Sequence, residues 1–309
     1  MQKLHLKNPG YQYLETAFRE WLGVLGYGAG TVRGMPLIVR EFLHQLETQG
    51  VNHINQLQQK HIRRHHQYIS ARANQRRGGG LSNNYINKHL QAVEKFLEFL
   101  VHKGAQNVPS PGIRPEKLQK KEMDILTTAE IKELFELTNK EPDTEKEQVL
   151  QIRDRAMLAI FYSCGLRRNE GAGLAIEDIN FDTRVLHVKK GKNHRERLVP
   201  LNKTNAAHLQ EWVYDHRPRL ARDKREHRLF INVHGEPMTG GALYKRLKLL
   251  LLRSENTALQ QKDIGLHSLR HSIATHLLQA GMGLEKIARF LGHSSLESTQ
   301  IYTHLIEKE

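Results

Sequence analysis

The chain has 309 residues and carries 47 Lys and Arg against 33 Asp and Glu, a formal +14 at pH 7 with a pI near 9.8. That length allows two domains with ordinary cores, and the charge marks a protein that meets a polyanion, a class shared by nucleic-acid, ribosomal and membrane-surface proteins. No apolar run reaches the roughly 20 residues of a membrane span, the start MQKLHLKNPGYQYLE lacks a signal-peptide core, and Cys164 is the only cysteine, so a cytoplasmic protein without an intrachain disulfide is expected.

The basic bias lies toward the N-terminus, where the first 105 residues hold fourteen Lys and Arg against six Glu and no Asp. Leu14, Phe18, Trp21, Leu22 and Leu25 form a helical stripe that ends at Gly26 and Gly28. A second stripe, Leu37, Ile38, Phe42, Leu43 and Leu46, runs to Gly50, with Gly34 and Pro36 predicting a late start or a kink. The third, Ile62 to Ala73, is crowded with His61, Arg63, Arg64, His65, His66 and Arg72 and is followed by Arg76 and Arg77. Few acids offset this run, so Arg63, Arg64, Arg76 and Arg77 are expected to touch phosphates. After the Gly78 to Gly80 turn, Ser82 caps a fourth helix holding Ile86, Leu90, Val93, Phe96, Leu97 and Leu100, which Gly104 stops.

Pro109, Pro111, Pro115 and several lysines make 106–125 a linker between domains at 1–105 and 126–309. Thr127 and Glu130 form a capping box for the next helix, and Glu141 to Glu147 reads as a polar loop. A further helix through Val149, Ile152, Ala156 and Phe161 stops at Gly165, where Y-S-C-G-L-R-R-N-E begins. Val185 to Lys190 and Glu196 to Leu201 alternate as two strands joined by a turn at Gly191 to His194. Farther on, H-S-L-R places His267 and Arg270 three apart on one helix face, and L-G-H-S-S-L-E-S-T-Q-I-Y places His293 nine residues before Tyr302. Ser294 and Glu297 make another capping box, which predicts a short helix under Tyr302.

Two histidine pairs, His61 with His65 and His267 with His271, have the spacing of helical metal ligands. Neither H-E-x-x-H nor a cysteine pair accompanies them, and Arg270 inside the second pair would repel a cation, so no metal is expected. An acidic metal cluster and a P-loop are also missing, which points to chemistry without a cofactor.

The G-L-R-x-x-E element, the H-x-x-R run, the L-G-H and the final tyrosine resemble, in this order, the signature of the tyrosine recombinase (phage integrase) family. The resemblance implies a mainly α fold with a small antiparallel β-sheet in the C-terminal domain. It implies an N-terminal four-helix core-binding domain, similar in layout to Xer-type recombinases and small mobile-element integrases. It assigns catalysis to Arg167, Lys192, His267, Arg270, His293 and Tyr302, with Glu170 supporting Arg167; Lys192 follows from aligning the hairpin on Arg197 and Pro200. The implied activity is site-specific cleavage and rejoining of double-stranded DNA through a 3′-phosphotyrosyl intermediate and a Holliday junction, by a tetramer on paired sites. A topoisomerase-like relaxer and a DNA-binding protein that does not cut are the alternatives. Seven residues follow Tyr302, which predicts little self-association away from DNA.

Overall fold

The computed structural model describes residues 4–74, 78–118, 124–189 and 196–292. It divides into two compact units, Met1–Lys121 and Glu122–Glu309. Among the described residues no helix is long and apolar enough to cross a membrane. The fold is mainly helical with one small antiparallel sheet, as the resemblance implied.

Among the described residues of the first unit are four α-helices, α1 (Pro9–Val24), α2 (Ala29–Thr48), α3 (Gln59–Ala71) and α4 (Asn83–His102). Asn8 caps α1 by accepting from the Gly10 and Tyr11 amides, and Ser82 caps α4 through Tyr85. Phe18, Phe42, Phe96 and Phe99 are fully buried at the centre, and Phe18 meets Phe96 edge-on at 5.5 Å. The expected late start of α2 is corrected, because the helix begins at Ala29 and runs through Pro36. An interior proline costs about 3 kcal/mol, and the apolar face that buries Pro36, Val39, Phe42, Leu43 and Leu46 offsets it.

Two histidines are packed inside this unit. His65 and His89 are each 2% exposed, their rings lie 5.9 Å apart, and the Nδ1 of His65 is 2.6 Å from the Gln45 side-chain oxygen. Burial, then the charges of His89, Arg72 and His66, pushes His65 down to about 3; burial and Arg72 push His89 down to about 4. Both are therefore neutral at pH 7. Below the ordinary value near 6.5 the unfolded chain takes up protons that the folded chain refuses, so stability falls with pH through that window. The loss is about 2 kcal/mol per histidine at pH 5. The thermal midpoint of this unit is expected to be on the order of 10 °C lower at pH 5 than at pH 7.5. Trp21 and Trp212 are the chain's only tryptophans, so ¹⁹F signals of a 5-fluorotryptophan-labelled chain follow each unit separately. An unchanged Trp21 transition would contradict the neutral pair.

The second unit begins with α5 (Thr128–Leu137), on its Thr127–Glu130 capping box, and α6 (Glu145–Leu158), capped by Thr144. The polar loop expected to reach Glu147 is thus shorter. A π-helical turn, Ala159–Ser163, extends α6 toward α7 (Arg168–Gly173). Strands β1 (Ile179–Asn180), β2 (Val185–Val188) and β3 (Arg197–Pro200) form an antiparallel sheet in that order. Leu186 pairs with Val199 and Val188 with Arg197. Period-two alternation sends these four side chains inward and leaves Leu198 68% exposed. The expected hairpin turn at Gly191 to His194 lies outside the described residues. Helices α8 (Lys203–Gln210), α9 (Arg217–Leu220), α10 (Gly240–Leu252), α11 (Thr257–Gln261), α12 (Leu266–Gln279) and α13 (Leu284–Leu291) follow among the described residues. Their core includes Trp212, whose indole N–H donates to the Leu229 carbonyl at 2.9 Å.

Candidate active site

Gly165 starts the site. Its φ is +60°, which favours glycine, and a Cβ here would lie 2.8 Å from Leu291 Cδ2 and 3.2 Å from Phe290 Cε1. This close approach brings the end of the π-helical turn against α13, so that Arg167 becomes the N-cap of α7. Glu170, three residues on, turns back and accepts from the Arg167 backbone N–H at 2.9 Å and from its Nη1 at 2.8 Å. The same carboxylate accepts from Arg197 Nη1 at 3.3 Å and Nη2 at 2.9 Å. Burial would raise the Glu170 pKa, but the hydrogen bonds and charge of Arg197, helped by those of Arg167, outweigh it and hold the group at about 2. It is ionised at any working pH.

The second part of the site is the C-terminal end of α13. A helix leaves its last carbonyls without intrahelical partners and carries partial negative charge there. Here three arginines from three segments take them. Arg197 Nε donates to Phe290 O at 3.0 Å, Arg270 Nη2 to Leu291 O at 2.7 Å, and Arg167 Nη2 to Gly292 O at 3.0 Å. Arg270, only 3% exposed on α12, also donates through Nη1 to Gly165 O at 2.5 Å. Gly292 closes the helix in the left-handed region at φ +67°, and a Cβ there would lie 3.0 Å from Arg197 Nη1.

His267 enters from the first turn of α12, three residues before Arg270. Its side chain reaches solvent, yet partial desolvation, then Arg270, Arg168 and Arg167, lower its pKa against the opposing pull of Glu170. His271 is pushed down to about 4 by burial, then by His267 and Arg270. Both imidazoles are neutral at pH 7, and neutral His267 is able to accept a proton. Arg167, Arg168, Arg197 and Arg270 therefore surround one ionised carboxylate and two neutral imidazoles. That balance favours an anion, and a planar guanidinium fork suits a phosphate.

Of the expected catalytic residues, the structure brings Arg167, His267 and Arg270 together with Glu170. Lys192, His293 and Tyr302 lie outside the described residues, as do Ser294 and Glu297. Lys189, just past β2, has its ammonium 2.5 Å from Asp178 Oδ1. Sequence reasoning used Arg197 only to align the hairpin. The missed signal is its position: on an alternating strand it shares the inward face with Val199, and an inward arginine needs a buried partner.

The basic run in the first unit is smaller than expected. Arg63 and Arg64 are exposed on α3, but His61 and His65 are buried, Arg72 is paired with Glu41, and His66 lies 3.3 Å from Glu116. Glu41 and Glu116 are thus taken by Arg72 and His66, and neither is paired with Arg63 or Arg64. Arg76 and Arg77 lie outside the described residues.

The sequence profile of the phage integrase family matches residues 124–309. The chain is 29% identical over 301 residues to tyrosine recombinase XerD of Staphylococcus saprophyticus, covering 96% of each. It is 36% identical over 228 residues to tyrosine recombinase XerC of Haemophilus influenzae, covering 73% of this chain and 72% of that one. Among solved structures, the XerH site-specific recombinase bound to a palindromic difH substrate is similar in fold, with a TM-score of 0.68 at 21% identity over 94% of this chain and 80% of that one.

Proposed function

The chain belongs to the phage integrase family, the tyrosine recombinases, and we propose that it attacks a DNA phosphodiester with the hydroxyl of Tyr302. It is a site-specific recombinase, an enzyme that breaks and rejoins DNA strands. The observation that carries the proposed route is the arginine cluster on the last carbonyls of α13, immediately before His293. Arg167 and Arg270 neutralise the phosphate and the charge that builds in the transition state. A phenol ionises near pH 10, so a free phenolate at pH 7 costs about 4 kcal/mol, and neutral His267 avoids this cost by taking the proton as the bond forms. His293 donates to a phosphate oxygen, and Lys192 protonates the departing 5′ oxygen. The product is a 3′-phosphotyrosine and a 5′ hydroxyl, which keeps the phosphodiester energy for rejoining to a second end through a Holliday junction.

Exchange between two duplexes cuts four strands, and each chain supplies one Tyr302. Four chains on paired sites are therefore needed, with the first unit gripping the core site and the second cutting it. DNA held in the bacterial cytoplasm is the substrate this reading requires. The test is covalent capture from a pool of nicked random-sequence duplexes, in EDTA and without ATP. A detergent-stable adduct on a defined sequence, with a free 5′ hydroxyl and a blocked 3′ end, is expected. No adduct, or relaxation of any supercoiled plasmid regardless of sequence, would overturn the reading.

In the first unit we assign duplex phosphate contacts to Arg63, Arg64, Arg76 and Arg77. Changing all four to Gln is expected to make the salt dependence of binding shallower by about 3.6 in log–log slope, with little effect on cleavage of saturated DNA. An unchanged slope would show that these side chains are merely solvated.

A further inference from the structure

We propose that Arg197 is a positioning residue for strand cleavage: by holding the Glu170 carboxylate and the Phe290 carbonyl together, it divides Glu170 between two guanidiniums and sets how Arg167 meets a phosphate. Its side chain is 6% exposed, at the inward-facing start of β3. Nη1 and Nη2 reach Glu170 at 3.3 and 2.9 Å while Nε reaches Phe290 O at 3.0 Å. Its alkyl and guanidinium atoms pack closely on Gly292, where a Cβ would lie 3.0 Å from both Cδ and Nη1. Glu170 in turn holds Arg167 at both the backbone and the side chain. The consequence is electrostatic as well as steric. One carboxylate between two arginines leaves a net positive charge for a phosphate; if Arg197 were removed, the whole carboxylate charge would fall on Arg167, which would then be a closed ion pair. The carboxylate would also lose its two hydrogen bonds from β3 and be held by Arg167 alone.

This inference rests on reading Arg167 as the residue that neutralises the phosphate, and the test separates the two. The probe is the nicked duplex captured by the parent chain, prepared with its normal scissile phosphate or with a methylphosphonate there, in which a methyl group replaces one non-bridging oxygen and removes the negative charge. Arg167→Ala and Arg197→Gln are compared with the parent in single-turnover cleavage of both duplexes. On the phosphate, Arg197→Gln is expected to cleave about 100-fold more slowly, with affinity for the duplex within about threefold of the parent. On the methylphosphonate both variants are expected to come within about fivefold of the parent. A merely structural defect would not respond to the charge of the substrate. Equal loss on both duplexes for Arg197→Gln, or near-parental cleavage of the phosphate, overturns the proposal. Equal loss on both for Arg167→Ala removes the Arg167 reading and this proposal with it. Melting curves establish folding beforehand, and if Arg197→Gln does not fold, Arg197→Lys replaces it. That variant keeps a cation but cannot span the carboxylate and the carbonyl.

Discussion

Tyr302→Phe is expected to bind the captured duplex like the parent and to form no covalent adduct, with cleavage reduced on the order of 10⁴-fold or more. The substitution removes a single oxygen and keeps the ring, so affinity, which is spread over many cations, stays where it was. The loss is expected to be this large because phenylalanine has no nucleophilic atom to form the phosphotyrosyl bond. Tyr162, the tyrosine nearest the described cluster in sequence, has its hydroxyl 2.9 Å from His276 Nδ1 and its pKa raised by burial, so it is a poor substitute. The duplex is incubated with each chain and resolved on a denaturing gel. An adduct persisting in Tyr302→Phe would move the nucleophile to another residue.

Arg270→Lys is expected to lose about 100- to 1,000-fold in cleavage while binding DNA within a few fold of the parent. The guanidinium reaches Gly165 O and Leu291 O at once, at 2.5 and 2.7 Å, and so ties the π-helical turn to α13. A single ammonium, which also reaches less far, cannot bridge both carbonyls and lacks the planar fork for a phosphate. One carbonyl left unpaired at this depth costs roughly 1–3 kcal/mol, so the variant is also expected to melt a few degrees lower. Single-turnover cleavage and a melting curve on the same preparation check the two effects together. Near-parental cleavage would exclude Arg270 from the chemistry.

The helices and the two longer strands were legible because their apolar residues repeat at 3.6 or 2 positions, and burial acts on that repeat. The two-residue β1 was not, since it exists only through its pairing with β2. The late start of α2 read from Gly34 and Pro36 failed because a local steric penalty was outweighed by packing that a local pattern does not show. Arg167, His267 and Arg270 were identified by resemblance, and the structure shows how they are held. Arg197 needed geometry: its partners lie 27 residues earlier, at Glu170, and 93 residues later, at Phe290, and spacing along a chain carries no trace of such contacts. The same holds for His65 and His89, which composition counts as basic and the core keeps neutral.

Helix α13 has eight residues, below the length at which a helix persists alone in water. Its order comes from Ile287 and Leu291 packed on α12 and from the three guanidiniums at its end. Local melting of α13 and the alignment of those guanidiniums are therefore coupled, although Glu170 and the Gly165 carbonyl also hold them. A phosphate bound by the aligned cluster, as proposed for the scissile one, would draw the population toward the wound helix, and a change that frays the helix would weaken that binding in proportion to the frayed fraction it creates.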